Sequence, residues 1–166
     1  MNKVLLISEK TIKKYTLIND NIDGEYLLPA IQMSQDVDLD TTIGTKLNKK
    51  IQDLVLTNEI NSEVNVHYKK LLEEYITPYL CWLVMANVQV AVNYKFTNSG
   101  IVENYDENKQ RLGYQDSKAL SVQYDKYATA YGAKLKDYLI DNSNLYPEYF
   151  ACDNTDNLQL CAIHLP

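Results

Sequence analysis

Apolar residues recur at intervals of three and four along most of this chain, and that spacing is typical of amphipathic helices. The pattern predicts one helix over 23–35, a second that Asp40 caps, a third from about Ser62 through Val88, and a fourth over about 117–141. Asp36 to Asp40 is predicted to form a polar joint between the first two helices. The predicted fold is therefore mostly α, a small bundle of about four helices.

The third and fourth helices are predicted to supply the core. After Tyr79 the third helix is apolar on nearly every side, which indicates that other elements or other subunits surround it. The fourth carries a stripe of tyrosines at helical spacing, for which packing in the core is favoured over an interface role. The residues predicted to form the internal core are Leu72, Ile76, Leu83, Val84, Leu120, Tyr124, Tyr131 and Leu135.

Three segments fall outside this helical body, which spans 21–143. Residues 1–20 form a predicted N-terminal arm, 144–166 form a C-terminal arm, and 93–117 form a long loop. Both arms contain short β-prone runs, and such runs are suited to adding a strand to a neighbouring chain. The residues predicted to contact other subunits are Leu5, Ile7, Phe96, Ile101, Tyr105, Tyr114, Leu160 and Ile163.

Composition limits the classes of function. The chain has 166 residues with 46% hydrophobic and 23% charged residues, which are the proportions of one globular domain. A net charge of -6 disfavours tight binding of nucleic acid, because phosphate contacts need clustered Lys and Arg. Pro78, Asn87 and Gln89 argue against the apolar run over 75–92 as a membrane span. Three cysteines and a start without a leader pattern predict synthesis in a reducing cytoplasm.

Groups able to do chemistry are sparse and scattered. Neither His67 nor His164 lies in a nucleophile or metal-binding spacing. The best metal candidates lack the paired short spacing of a zinc site; they are Cys152, Asp153, Cys161 and His164. The five glycines form no phosphate or dinucleotide loop. We therefore predict no catalytic, cofactor-binding or metal residues, and a protein that is not an enzyme.

Four stretches of sequence carry a resemblance to a known class of protein. They read YLLPAIQMSQDV over 26–37, LDTTIGTKL over 39–47, YITPYLCW over 75–82 and NYKFTNSG over 93–100. Together they resemble the head-to-tail connector (adaptor) proteins of tailed bacteriophages, and the last is similar to a segment in crAss-like phages of gut Bacteroides. The resemblance extends over 23–141.

This resemblance implies a virion protein of the neck, made in the host cytoplasm. It implies a ring of about twelve copies below the portal protein. Such a ring extends the DNA channel and docks the next connector or tail component. DNA would pass through the lumen without specific binding, and an acidic chain suits that role because it does not hold phosphate. No membrane partner and no cofactor are implied.

The residues leave other classes of function open. A stand-alone helical interaction or regulatory protein encoded by a phage would share this composition and would be monomeric or dimeric. A small enzyme that uses Asp, Glu and Tyr side chains would need a concave pocket with convergent polar groups. No pattern in the sequence indicates such a pocket.

Overall fold

The computed structural model describes residues 4–16, 24–97, 100–103 and 114–150. The α-helices are α1 (Glu9–Tyr15), α2 (Gly24–Met33), α3 (Asp40–Ile43), α4 (Thr45–Leu56), α5 (Val66–Lys70), α6 (Thr77–Asn93), α7 (Tyr114–Asp141) and α8 (Pro147–Phe150). Two π-helical segments are Ser34–Leu39 and Leu71–Ile76, and the strands are β1 (Tyr94–Thr97) and β2 (Gly100–Glu103). Short 3-10 turns cover Glu59–Asn61, Glu63–Asn65 and Ser143–Leu145.

The fold is mostly α, as predicted, and α6 lies at its centre. This helix packs along α7 and also contacts α1 and α2. Its Leu80, Cys81 and Val84 side chains are fully buried, in agreement with a helix that is apolar on nearly every side. None of the helices described combines the length and hydropathy that crossing a lipid bilayer requires.

The polar joint predicted at Asp36 to Asp40 is not a break in the chain. The π-helical segment Ser34–Leu39 joins α2 directly to α3. The helical path is interrupted instead at Gly44, between α3 and α4. Its φ of 81° lies in the left-handed region that glycine adopts most easily. Prediction failed because the aspartates here accept tertiary hydrogen bonds: Asp40 Oδ1 accepts one from Asn48 Nδ2 at 2.9 Å.

The second π-helical segment interrupts the predicted third helix without ending it. Leu71–Ile76 lies between α5 and α6, and the Thr77 amide donates to the carbonyl of Leu72, five residues back. Pro78 follows directly and has no N–H of its own to donate. The helical path is therefore continuous from Val66 to Asn93, although a proline lies within it.

The N-terminal segment is held against the body by one side chain. Gln35 accepts a hydrogen bond from the Leu6 amide at 2.9 Å and donates to the Val4 carbonyl at 2.8 Å. No strand forms in residues 4–8, and α1 follows, capped by Ser8. The β-prone N-terminal arm is thus not confirmed where it is described, because an amide side chain takes the backbone groups that a strand would offer.

Replacing Gln35 with Leu should release this segment. The variant removes both partners from backbone groups that are partly buried, and each lost hydrogen bond of this kind costs about 1 kcal/mol. Hydrogen exchange at the Leu6 amide should accelerate much more than exchange in α6. A Gln32→Leu variant in the adjoining helix α2 is the control, and equal acceleration in both variants would contradict the role assigned to Gln35.

The predicted loop over 93–117 contains regular structure at both ends. Strands β1 and β2 pair antiparallel and place Phe96 opposite Ile101. Helix α7 begins at Tyr114 instead of 117. The loop prediction was therefore too broad, because polar composition concealed a hairpin.

The apolar stripe of α7 faces the core over most of its length. Tyr124 and Leu135 are buried, and Leu120 and Tyr131 pack against the core. Tyr127, which belongs to the same stripe, is 41% exposed although its ring lies 4.8 Å from the Trp82 ring. Of the other predicted core residues, Ile76 and Val84 are buried, and Leu72 and Leu83 are partly buried against the core.

A cluster of tyrosines fixes the last described turn of the chain. Tyr146 is fully buried, and its hydroxyl donates to the His67 carbonyl at 2.9 Å. The Tyr68 hydroxyl lies 2.8 and 2.9 Å from the two Glu148 carboxylate oxygens. The first part of the predicted C-terminal arm is therefore helical and packed, while 151–166 lie outside the described residues.

Candidate functional site

A groove of about 460 Å³ lies between four elements. The end of the π-helical segment Ser34–Leu39 and α3 form one side, and α6 and α7 form the other. We refer to it as the α3/α7 groove. Its volume falls in the range of about 300–1,000 Å³ that is usual for binding pockets. It is lined by Asp38, Thr41, Thr42, Tyr79, Leu83, Asp125, Ala128, Thr129, Gly132, Ala133 and Lys136.

Small residues on α7 create the space for this groove. Ala128, Gly132 and Ala133 lie on one side of the helix and leave room beside the ring of Tyr79. A Cβ atom at Gly132 would lie 2.9 Å from Tyr79 Cε2, which is closer than such atoms approach. Glycine at 132 therefore allows the Tyr79 ring to pack directly on α7.

Three of the four hydroxyl groups that line the groove, those of Thr41, Thr42 and Tyr79, donate their protons within the chain. Thr41 Oγ1 donates to the Val37 carbonyl at 2.7 Å, and Thr42 Oγ1 donates to the Asp38 carbonyl at 2.8 Å. Because Thr42 has one proton, the 2.8 Å bond between its oxygen and Tyr79 Oη requires the tyrosine to donate. These three oxygens therefore face the groove as acceptors only.

Two carboxylates add to this acceptor surface. Asp38 Oδ2 accepts a hydrogen bond from Asn87 Nδ2 at 3.2 Å, and Asp125 is exposed on α7. Burial raises the pKa of Asp38, the Asn87 hydrogen bond lowers it, and the charge of Asp125 raises it further. On balance the pKa of Asp38 is raised, so its ionisation is disfavoured in this groove, which Lys136 also lines.

An Asp38→Asn variant should show this electrostatic penalty. The pKa of Asp38 is raised in the folded chain, so ionisation destabilises the fold and the penalty is fully present above the folded pKa. The variant should melt at a higher temperature than the parent at pH 7, and the difference should fade as the pH falls toward the ordinary value of 3.8. An Asp137→Asn variant outside the groove serves as the control, and a gain that grew at low pH would contradict the assignment.

The described residues offer neither a reactive thiolate nor a group of metal ligands. Burial raises the pKa of the Cys81 thiol to about 12, which suppresses the reactive thiolate. No group of three His, Cys, Asp or Glu side chains in the described ranges could hold a metal ion. The candidate ligands Cys152, Asp153, Cys161 and His164 lie outside those ranges.

Of the predicted interface residues, Leu5 and Ile7 have described side chains, and neither lines the groove. Ile7 is 3% exposed, and Leu5 packs partly buried on the core, so their own chain accounts for their apolar character. Phe96 and Ile101 are paired in the hairpin, and Tyr114 is the first residue of α7. Tyr105, Leu160 and Ile163 lie outside the described residues.

Sequence reasoning missed the groove because its parts are far apart in the chain. Asp38 and Asp125 are brought to one groove by the packing of the Ser34–Leu39 segment and of α7 on α6. One local signal was available: Ala128, Gly132 and Ala133 interrupt an otherwise bulky helix on one side. Small residues at helical spacing often indicate that another element packs close to the helix, but the pattern does not identify that element.

Comparison with known proteins gives a single family. Residues 39–158 match DUF6712, which is described as a family of unknown function. The matched range contains the whole of α4 to α8 and nearly all of the α3/α7 groove. No curated protein and no solved structure matches the chain.

Proposed function

The chain belongs to the DUF6712 family, and we propose that it is a structural subunit of the head-to-tail connector ring of a tailed bacteriophage. In this proposal it sits in the virion neck, binds the portal protein on one side, and docks the next connector or tail component on the other. In this role it binds neighbouring proteins through its surface and catalyses no reaction. DNA passes through the lumen without specific binding.

The observation that carries this proposal is the hairpin of β1 and β2. Among the described residues these two strands pair only with each other, so each has an outer edge without a strand partner. An isolated two-stranded hairpin is marginally stable in water. A third strand supplied by a neighbouring subunit would satisfy those backbone groups, and strand addition of this kind is a common mode of assembly.

The rest of the molecule is consistent with a subunit of this kind. The helical body has its own core, built on α6 and α7. The net charge of -6 reduces attraction to phosphate along a channel wall. The first strand of the hairpin also lies in the stretch over 93–100 that resembles a segment of such proteins.

Electron microscopy of intact virions beside the purified chain tests the proposal. Density for this chain is expected as a ring at the junction of portal and tail. A variant in which 94–103 is replaced by a Gly-Ser linker is expected to keep its helical circular dichroism and to lose the ring.

Absence of the chain from virions would overturn the connector proposal. A purified chain that then remained monomeric or dimeric at high concentration would favour the stand-alone interaction or regulatory protein. The two functions therefore give different results in the same preparation.

A further inference from the structure

We infer that the outward side of α7 pairs with the same side of a second copy of this chain, antiparallel and about a two-fold axis. We call this side the outer face of α7. It consists of eight exposed residues, which are Val122, Asp125, Lys126, Thr129, Ala133, Lys136, Asp137 and Ile140. A two-fold contact closes with two copies and does not propagate around a ring. The inference therefore goes beyond the proposed function and concerns the free chain.

The charges of the outer face lie in two rows. Residues eleven positions apart on an α-helix differ in direction by only about 20°, because eleven residues make about three turns. Asp125 and Lys136 therefore form one row, and Lys126 and Asp137 form the other. Along the chain the first row runs from acidic to basic, and the second runs from basic to acidic.

These four charged side chains can be reached by a partner. The two members of each row lie about 16 Å apart along the helix axis, at about 1.5 Å per residue, so they cannot pair with each other. None of the four makes an ion pair with another residue in the described part of the chain. Their charges are therefore not neutralised within one copy.

A two-fold axis makes the outer face complementary to itself. When two α7 helices lie antiparallel with the axis level with residue 131, each row faces the same row of the other copy in the reverse direction. Asp125 then lies within about 1.5 Å of the level of Lys136 in the second copy, and Lys126 lies equally close to the level of Asp137. Symmetry repeats both pairs, which gives four ion pairs, while like charges lie in different rows on opposite sides of the contact. This order of charges selects a second copy of the chain as the partner.

Apolar and small side chains lie along the midline between the two rows. Val122 and Ile140 are 48% and 50% exposed, and in the antiparallel pair Val122 of one copy packs on Ile140 of the other, which removes apolar surface from water. Thr129 and Ala133 meet at the centre, where small side chains allow the helices to approach closely. Val122 and Ile140 are both exposed in the dilute chain, so replacing them should weaken association and leave the stability of the monomer nearly unchanged.

The direction of the pairing follows from the helix dipole. A parallel two-fold arrangement would also bring opposite charges together, with Asp125 beside Lys126 of the second copy. It would, however, set the like ends of two 28-residue helices side by side. The antiparallel arrangement turns the positive end of each helix toward the negative end of the other and is therefore favoured.

Zero-length carbodiimide cross-linking tests the contact and its direction, because this reagent joins a carboxylate directly to an amine. Equal amounts of 14N-labelled and 15N-labelled chain are mixed, treated and analysed by mass spectrometry, so that peptide pairs of mixed isotope report links between copies. Mixed-isotope links of Asp125 with Lys136 and of Lys126 with Asp137 are expected. Mixed-isotope links of Asp125 with Lys126 in their place would show the parallel arrangement and overturn the inference, as would the absence of any mixed-isotope link on α7.

Charge exchange tests the same pairs by sedimentation equilibrium over a range of concentrations. Asp125→Lys alone should raise the dissociation constant of the dimer by about tenfold, since both symmetry-related pairs turn from attraction to repulsion. Adding Lys136→Asp in the same chain should restore the constant, because each pair again has opposite charges. A double variant that stayed as weak as the single one, or a parent chain that was monomeric at every concentration, would overturn the inference.

Lys134→Asp is the matched control for Lys136→Asp. Lys134 is exposed on the same helix, but it points about 160° away from Lys136. The two variants change the net charge equally, so only Lys136→Asp should raise the dissociation constant. An equal effect of both would mean that net charge and not the outer face controls association, and the inference would fail.

The outcome separates this contact from the connector proposal. The cross-links and the sedimentation concern the purified chain, whereas the ring is sought in virions. A ring in virions without α7 links in the free chain would leave the connector function and remove this contact. Links in the free chain without any density in virions would leave the contact between copies and remove the connector function.

Discussion

Replacing Tyr146 with Ala is expected to lower the free energy of unfolding by about 3–5 kcal/mol, the range for removing a large buried aromatic ring. Tyr146 has 0% exposure, and its ring lies 5.7 Å from those of His67 and Tyr68. Removing the ring leaves a cavity among groups that are tied to helices on several sides. Chemical denaturation followed by circular dichroism gives the measurement.

A Tyr146→Phe variant separates the hydroxyl from the ring. In the parent chain the Tyr146 hydroxyl donates to the His67 carbonyl and lies 3.3 Å from the Tyr138 hydroxyl. Losing only these bonds should cost about 1–2 kcal/mol. If Phe cost as much as Ala, the hydrogen bonds and not the packing would dominate this cluster.

The Tyr146 cluster also positions α8. It holds the Ser143–Leu145 turn and α8 against α5, with the Tyr68 hydroxyl bound to the Glu148 carboxylate. Burial, and then the hydrogen bond to Glu148, raise the pKa of Tyr68, so the phenol stays protonated and able to donate. The position of α8 beside α5 is therefore fixed by these contacts.

The sequence predicted well those features that depend on periodicity. The buried side of α7 followed from spacing, with Tyr124 and Leu135 placed correctly. The central position of α6 followed from its lack of a polar side. Such predictions succeed because a helical stripe must be buried somewhere, whichever element covers it.

Features that depend on tertiary hydrogen bonds were not predictable in this way. Three aspartates between 36 and 40 resemble a capped break, yet Asp38 and Asp40 accept hydrogen bonds from Asn87 and Asn48. Those partners come from two other helices. The π-helical segment and the groove beside it therefore depend on contacts that no local pattern records.

Replacing Leu135 with Ala is the second variant with a large expected effect. Leu135 has 0% exposure and belongs to the core shared by α6 and α7. Removal of a fully buried leucine side chain costs about 2–5 kcal/mol, because hydrophobic transfer is lost and a cavity remains. Thermal and urea unfolding should both show the loss.

Ile140→Ala on the same helix is the matched control. Ile140 is 50% exposed, and surface substitutions usually change the free energy of unfolding by less than about 0.5 kcal/mol. The contrast between the two variants therefore measures which side of α7 is buried, with helix propensity nearly equal. Similar losses of stability at both positions would mean that a partner covers Ile140 in solution. In that case the loss caused by Ile140→Ala would increase with protein concentration, and the loss caused by Leu135→Ala would not.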